Sequence, residues 1–283
     1  MTVVPDELGA ETTRPAAQPG RLIVSVYGLY ARERGGWLSV ASLVRLLADL
    51  EIDGQAVRSA VSRLKRRGLL DAESVGKTAG YRLTPAAHDI LVEGDARIFD
   101  RRRAGPDEGW LLVVFSVPEI ERDKRHLIRT QLTRLGLGAV TPGVWIAPAH
   151  LETAVAHALE RSGLRGYTDL FRSQHVAGSD TQAIDRWWDL DALQQQYAQF
   201  LTMAEPVLER WRPGEVDPAL AFADFVRIVT VWRRLPYLDP GLPVEALPAD
   251  WAGLAAEELF SGLRARLAGP AREHAMSVLD GPT

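Results

Sequence analysis

Residues 53–68, DGQAVRSAVSRLKRRG, restrict what the chain can fold into more narrowly than any other stretch. At about 100° per residue, a helix here places small apolar side chains on one side and polar or basic side chains on the other. The apolar side consists of Ala56, Val57, Ala60, Val61 and Leu64. The polar side consists of Gln55, Arg58, Ser59, Ser62, Arg63, Lys65 and Arg66. The pattern predicts a helix that docks closely by a narrow face and presents a basic face to solvent.

The segments around this helix predict a winged helix-turn-helix. A first helix, with apolar residues at helical spacing from Leu22, stops at Gly35-Gly36, and Ser39 caps a second helix. The few residues between the second and third helices are typical of a helix-turn-helix. After Gly68, two short strand-like runs flank VGKTAG and predict a hairpin, with glycines that permit its turn. Thr84-Pro85 then opens a further helix that leads to a linker near residue 103.

The polar face of residues 55–66 carries the side-chain types that bind DNA. Arginine forks suit guanine, an amide suits adenine, and hydroxyls suit backbone oxygens. Lys77 at the predicted hairpin tip and Arg82 on its return strand add cations where a winged helix meets the DNA backbone. Residues 20–103 hold 15 Lys and Arg against 10 Asp and Glu, whereas residues 104–283 have a net charge of −7. The sequence therefore predicts a double-stranded DNA interface, and the alternative is an ordinary solvated amphipathic helix.

The pattern changes at Trp110, where WLLVVFSV begins a series of short elements. This strand is followed by a helix, the strands GAV and GVWIA around Thr141-Pro142-Gly143, a second helix and the strand TDLFRSQHV. The order β-α-β-β-α-β predicts a ferredoxin-like domain. A helical part rich in tryptophan follows from about residue 180.

These patterns divide the chain into four segments. Residues 1–19 read as a disordered tail, and residues 20–103 as the winged helix with its linker helix. Residues 104–179 form the predicted ferredoxin-like domain, and residues 180–283 the helical C-terminal domain. We expect a fragment of residues 20–103 to be folded, monomeric and weak in DNA binding. The overall fold class is therefore α+β.

Composition excludes several classes of protein. The chain has no cysteine, which rules out disulfides and thiolate metal sites and suits a reducing cytoplasm. Its longest apolar run is far shorter than the ~20 residues of a membrane helix, so we expect a cytoplasmic protein with no membrane partner.

Three stretches resemble the PaaX family of repressors, which control phenylacetate catabolic operons. They are GQAVRSAVSRLKRRGLL with YRLTPAA, the run GWLLVVFSVPEIERDKRHLIRTQLTRLGLGAVTPGVWIAP, and WRRLPYLDPGLPVEALPADWAG. The resemblance implies a homodimer that binds an operator and is released by an aryl acyl-CoA such as phenylacetyl-CoA. It also implies a DNA-reading face of Gln55, Arg58, Ser59, Ser62, Arg63 and Arg66.

The third of these stretches contains the candidate effector residues Trp232, Arg233, Arg234 and Tyr237. Their guanidinium groups could meet a CoA phosphate and their rings an aryl group. The alternative is that the aromatic residues belong to the core and that the arginines pair with Asp239 or Glu245.

An enzyme is the competing class. The middle domain also resembles the small endonuclease of CRISPR adaptation, whose first strand ends in a metal-binding aspartate. Here that strand ends Phe115-Ser116-Val117-Pro118, with no carboxylate to bind a divalent metal. The six histidines form no metal-ligand motif, so we expect no cofactor, no metal and no catalytic residue.

Overall fold

The computed structural model of the protein describes residues 19–174, 181–211, 214 and 216–281. It confirms an α+β fold with a winged helix, a central ferredoxin-like sheet and a helical C-terminal part. The tail predicted at residues 1–19 lies outside the described residues except for Pro19, which begins the first helix.

The winged helix follows the predicted order of elements. They are α1 (Pro19–Val26), β1 (Trp37–Ser39), α2 (Val40–Ala48), α3 (Gly54–Arg66), β2 (Leu70–Val75), β3 (Thr78–Leu83) and α4 (Pro85–Phe99). The chain continues from α1 through a π-helical turn, Tyr27–Ala31, and a 3-10 turn, Arg32–Arg34. Gly35, at a φ of 75°, ends this stretch because its left-handed conformation cannot extend the helix. The first predicted helix therefore has its predicted extent but not a uniform geometry.

Strand β1 is the element of the winged helix that the sequence pattern did not predict. It is three residues long and pairs with β3, so that Leu38 lies opposite Tyr81. The sequence pattern predicts Gly80 in the turn, but the structure places it within β3. A Cβ at Gly80 would lie 2.4 Å from the Leu38 carbonyl oxygen and 2.5 Å from the Trp37 ring. The missing side chain therefore lets β1 and Trp37 lie against the hairpin.

The central sheet has the predicted ferredoxin-like topology. Its elements are β4 (Trp110–Phe115), α5 (Asp123–Arg134), β5 (Gly138–Thr141), β6 (Val144–Pro148), α6 (Glu152–Arg161) and β7 (Thr168–Ser173). The antiparallel strands lie in the order β5-β6-β4-β7. Buried residues of the sheet and both helices, among them Val113, Ile128 and Val155, form one core. The last strand ends at Ser173, and the predicted continuation to residues 175 and 176 lies outside the described residues.

The C-terminal part is helical, as predicted. It contains α7 (Thr181–Trp187), α8 (Leu190–Trp211), α9 (Pro218–Trp232), α10 (Leu235–Leu238) and α11 (Ala252–Asp280). Asp217 caps α9 by accepting the amide hydrogens of Ala219 and Leu220, and Pro218 occupies the first turn. No described helix is long and apolar enough to cross a membrane.

The contacts between residues divide the chain into two compact units that do not follow chain order. The first, which we call the winged-helix unit, holds residues 19–98, Gln199–Arg234 and 254–281. The second, the central unit, holds Phe99–Ala198 and Leu235–Gly253. The C-terminal helices are thus shared between the two units. The division into four sequence segments stays a prediction.

The winged helix and the C-terminal helices share a core within the winged-helix unit. The buried hydroxyls of Ser25 and Thr230 lie 2.7 Å apart, which joins α1 to α9. The ring of Tyr30 lies 5.5 Å from that of Phe222, between centroids, and both residues are buried. Burial raises the pKa of the Tyr30 hydroxyl above its ordinary range. The first helix of the winged helix therefore buries part of its surface against residues about 200 positions away in the sequence.

Candidate nucleic-acid interface

Helix α3 begins where the sequence predicts, at a capped and sharply turned junction with α2. The Asp53 carboxylate accepts the amide hydrogens of Gln55, at 2.8 Å, and Ala56, at 2.9 Å. These hydrogen bonds hold the pKa of the Asp53 carboxyl below its usual range. In the preceding turn, Glu51 has a φ of 63°, a left-handed conformation that is uncommon for residues other than glycine. Cap and turn together fix the first residue of α3.

The two faces of α3 are those predicted from the sequence. Val57, Ala60, Val61 and Leu64 are buried, and Ala56 is half-buried at the border between the faces. All seven residues of the predicted polar face are exposed: Gln55, Arg58, Ser59, Ser62, Arg63, Lys65 and Arg66. We call these seven residues the α3 polar face. The helix also lies close to its neighbours, since a Cβ at Gly54 would be 3.5 Å from Val44 of α2.

The cations of the α3 polar face remain available to a ligand. Across the ranges that the structure describes, Arg63, Lys65 and Arg66 form no ion pair. Arg58 interacts electrostatically with the carboxylate of Asp53, which caps the same helix. Uncompensated cations on one exposed helix face attract a polyanion, and their guanidinium forks match phosphates and base edges.

The hairpin presents a single cation at its tip. Val75 and Thr78 pair, which leaves Gly76 and Lys77 as a two-residue loop. Gly76 has a φ of 62°, as expected for a hairpin loop with glycine in its first position. The exposed Lys77 follows it at the turn. The structure therefore puts Lys77 at the tip of the wing, as the sequence predicts.

Arg82 differs from the other predicted DNA-binding residues because its charge already has a partner. Its Nη2 donates to Glu73 Oε1 at 2.9 Å, its Nε donates to the other Glu73 oxygen, and its Nη1 donates to the carbonyl of Gly35. The hydrogen bond between Arg82 and Glu73 raises the pKa of the guanidinium and lowers that of the carboxyl. Arg82 therefore links the hairpin to Gly35, the residue at which the first helix ends. Its direct role in DNA binding stays a prediction.

Glu73 was missed in the sequence reading, although a signal for it exists. Directly opposite Arg82 in the hairpin stands Asp71, and Glu73 is the diagonal neighbour on the same face of the sheet. The spacing of two residues along a strand could have suggested either carboxylate. The hairpin register alone does not say which of the two carboxylates Arg82 contacts.

Comparisons with known proteins place the whole arrangement in one family. The family models for a PaaX-like protein, the PaaX central Cas2-like domain and the PaaX-like C-terminal domain match residues 18–87, 103–184 and 188–277. The chain is also 27% identical over 253 residues to the transcriptional repressor PaaX of Escherichia coli K12. That alignment covers 87% of this chain and 79% of the relative.

The chain belongs to the PaaX family. A solved structure, the uncharacterized protein Rv0674 from Mycobacterium tuberculosis, has the same fold with a TM-score of 0.54 and 22% identity. It matches 88% of this PaaX family chain and 99% of its own. Membership of the PaaX family therefore agrees with the α+β fold of the structure and with the three sequence stretches that resemble this family.

Trp232, the first candidate for the effector site of this PaaX family chain, belongs to the core. It is 2% exposed, and its ring stacks on Phe260 with a centroid separation of 4.4 Å and an interplanar angle of 12°. Phe200 contacts it from another direction at 5.2 Å. Its indole nitrogen donates to the Ile98 carbonyl at 2.9 Å. The structure supports the alternative that this ring belongs to the core, because other side chains already cover it.

The other three residues predicted to bind the effector belong to two different units. Arg233 and Arg234 belong to the winged-helix unit, whereas Tyr237 belongs to the central unit. Arg233 is 5% exposed. Burial and the neighbouring charge of Arg21 lower the pKa of the Arg234 guanidinium. These two arginines place positive charge in a poorly solvated part of the winged-helix unit.

Asp239, a carboxylate that the sequence alternative pairs with these arginines, has partners within the central unit. Asp239 is buried in the central unit, where Arg101 and Arg103 contact its carboxylate and Tyr197 donates to it at 3.0 Å. Burial works to raise the pKa of the Asp239 carboxyl, but the two guanidinium groups outweigh it and hold the pKa below its usual range. Asp239 therefore serves the internal packing of the central unit.

The sheet of the central unit offers no carboxylate at the end of its first strand. Strand β4 ends at Phe115, and the Ser116 amide donates to the Tyr167 carbonyl at 3.0 Å. Among the described residues, no group of three or more His, Cys, Asp or Glu is placed to hold a metal ion.

Proposed function

We propose that this PaaX family protein is a DNA-binding transcriptional repressor. The observation that carries the proposal is the α3 polar face, on which seven polar or basic side chains are exposed together on the third helix of a winged helix. In this fold the third helix enters the major groove, and the hairpin lies against the backbone. The printed name of the Escherichia coli relative supports the same function.

Within this proposal, the α3 polar face reads the operator and Lys77 holds the backbone. Arg58 and Arg63 are the residues with the reach and geometry for guanine, and Gln55 has the amide that suits adenine. The hydroxyls of Ser59 and Ser62 suit phosphate oxygens. A homodimer would double this module on a palindrome with half-sites about 10–10.5 bp apart, or a multiple of that spacing.

Replacing either arginine by alanine should weaken binding to the operator without unfolding the protein. We expect Arg58→Ala and Arg63→Ala each to cost about 1–3 kcal/mol of specific binding if the residue reads a base. The fold should persist because both side chains are exposed. Fluorescence anisotropy with DNA from upstream of the chain's own gene, at fixed salt, measures the loss.

Lys77→Ala is the matched control for this experiment. A phosphate contact carries no sequence information, so this variant should weaken operator and unrelated DNA about equally and lower the salt dependence of binding. If both arginine variants bind the operator as tightly as the parent protein at matched salt, α3 is not the reading helix.

The proposal includes release of the operator by an aryl acyl-CoA such as phenylacetyl-CoA. Support comes from the family and from Arg233 and Arg234, whose poorly solvated charges suit a phosphate group. Derepression requires the effector to prefer the state that does not bind DNA. To shift the ratio of the two protein states from 1:99 to 99:1, the binding free energies of the effector for the two states must differ by about 5.5 kcal/mol.

Phenylacetyl-CoA should bind the protein and lower its affinity for operator DNA. Operator DNA should in turn lower the affinity of the protein for phenylacetyl-CoA by the same factor. Calorimetry with phenylacetyl-CoA, phenylacetate and free CoA tests the ligand. Arg233→Ala and Arg234→Ala should reduce binding, whereas Arg129→Ala, an exposed arginine of α5, should leave it unchanged. If no aryl acyl-CoA binds, the regulator responds to another molecule. If the two variants bind like the parent, the effector site lies elsewhere.

A further inference from the structure

The segments on either side of α2, the first helix of the helix-turn-helix, contact side chains of α9 and α11. His274 of α11 contacts Asp49, the residue that follows α2, with 2.8 Å between Nε2 and Oδ2 and 225 residues between them in sequence. Its ring also lies 5.4 Å from that of the buried Phe222. All of these residues belong to the winged-helix unit. The end of α2 is therefore tied to α11 and α9.

Two arginines extend this set of contacts. Arg272 of α11 pairs with Glu33 at 2.5 Å, in the 3-10 turn that precedes β1 and α2. Arg227 of α9 pairs at 3.2 Å with Glu51, in the turn between α2 and α3. We call Arg272, His274 and Arg227 the anchor residues. In that order, they contact the segment before α2, the residue that follows α2, and the turn between α2 and α3.

The contact at Glu51 falls on the backbone position that sets the start of α3. Among the described residues, Glu51 is the only one other than glycine with a positive φ. Such a conformation persists when surrounding contacts hold it. Asp53, two residues later, caps α3. A shift in this turn would move the whole α3 polar face.

The anchor pairs are better suited to orientation than to overall stability. The exposed fraction of their side chains runs from 18% for His274 to 88% for Glu51, and exposed ion pairs contribute little to folding. The attachment of α1 and of the π-helical turn that follows it to α9 is already made by the buried pairs Ser25 with Thr230 and Tyr30 with Phe222. The anchor pairs instead link α9 and α11 to the segments on either side of α2.

We infer that Arg227, Arg272 and His274 are positioning residues for DNA binding, acting through Glu51, Glu33 and Asp49. This inference rests on the proposed function. It makes the C-terminal helices part of the DNA-reading machinery, although the anchor residues lie far from α3 in sequence. Any change that moves α9 or α11 would then be transmitted to the α3 polar face.

Charge reversal of the Arg272 and Glu33 pair in the full-length protein tests the inference. Arg272→Glu and Glu33→Arg should each weaken operator binding about 5-fold or more, and the double variant should return to within about 2-fold of the parent. Simple attraction to DNA predicts the opposite for Glu33→Arg, which adds positive charge and would tighten binding. Equal weakening by two variants of opposite charge therefore indicates positioning.

Glu273→Arg is the matched control for Glu33→Arg. It makes the same change of charge on an exposed residue next to Arg272. It should bind the operator at least as tightly as the parent. The positioning role also predicts that the single variants lose affinity for operator more than for unrelated DNA, so their specificity ratio falls. Thermal melting of each variant, by circular dichroism, shows whether it is folded.

The second pair, Arg227 with Glu51, keeps the inference testable if a variant of the first pair does not fold. Arg227→Glu and Glu51→Arg should also weaken operator binding singly and recover it together. Folded single variants that bind like the parent, or doubles that fail to recover, would overturn the positioning role. A parent protein that does not bind operator DNA would instead overturn the proposed function.

Discussion

Contrary to the expectation from the sequence pattern, a fragment of residues 20–103 should not fold into a stable winged helix. The fragment lacks Thr230 and Phe222, against which Ser25 and Tyr30 are buried in the whole protein. Truncation would expose the Tyr30 ring and leave the Ser25 hydroxyl without its protein partner. It would also remove all three anchor residues. We expect a broad thermal transition by circular dichroism and poorly dispersed amide signals by NMR, where the full chain melts cooperatively.

The matched control is to supply the missing helices as a separate chain. A fragment of residues 181–283, produced together with residues 20–103, should restore part of the cooperative transition because it returns α9 and α11. If residues 20–103 alone melt as sharply as the full chain, then the shared core contributes little. That outcome would favour the autonomous module expected from helix spacing and charge.

Trp232→Ala should destabilise the protein by about 3–5 kcal/mol, the usual range for removing a large buried aromatic side chain. The substitution removes the stack on Phe260 and the contact with Phe200. It also leaves the Ile98 carbonyl without the indole hydrogen bond. Urea denaturation followed by circular dichroism measures the loss in the free energy of unfolding.

Val231→Ala is the control for Trp232→Ala, because it lies next to Trp232 on α9 and is 42% exposed. We expect it to change the free energy of unfolding by less than about 0.5 kcal/mol. A loss under about 1 kcal/mol for Trp232→Ala would contradict the core assignment. It would return this ring to the list of candidates for contact with an aryl group.

The sequence alone determined the elements and faces that depend on local spacing. The split of α3 into a buried and an exposed side follows from the 3.6-residue period, and the structure confirms it residue by residue. The cap at Asp53, the hairpin with Lys77 at its tip and the order of the central elements follow from neighbouring residues in the same way. These features need no knowledge of what packs against them.

Tertiary structure decided the partners and the groupings. The sequence gives no partner for Arg82, and the fold brings Glu73 and Gly35 to it. The sequence leaves Trp232 open between a core residue and a ligand contact, and the packing of Phe200 and Phe260 against its ring favours the core. The short strand β1 forms because β3 is there to pair with it. The sharing of one core by α1 and α9 joins residues separated by 205 positions. Periodicity reports which side of an element is buried, but it carries no information about which distant segment buries it, because that choice is made by packing across the whole chain.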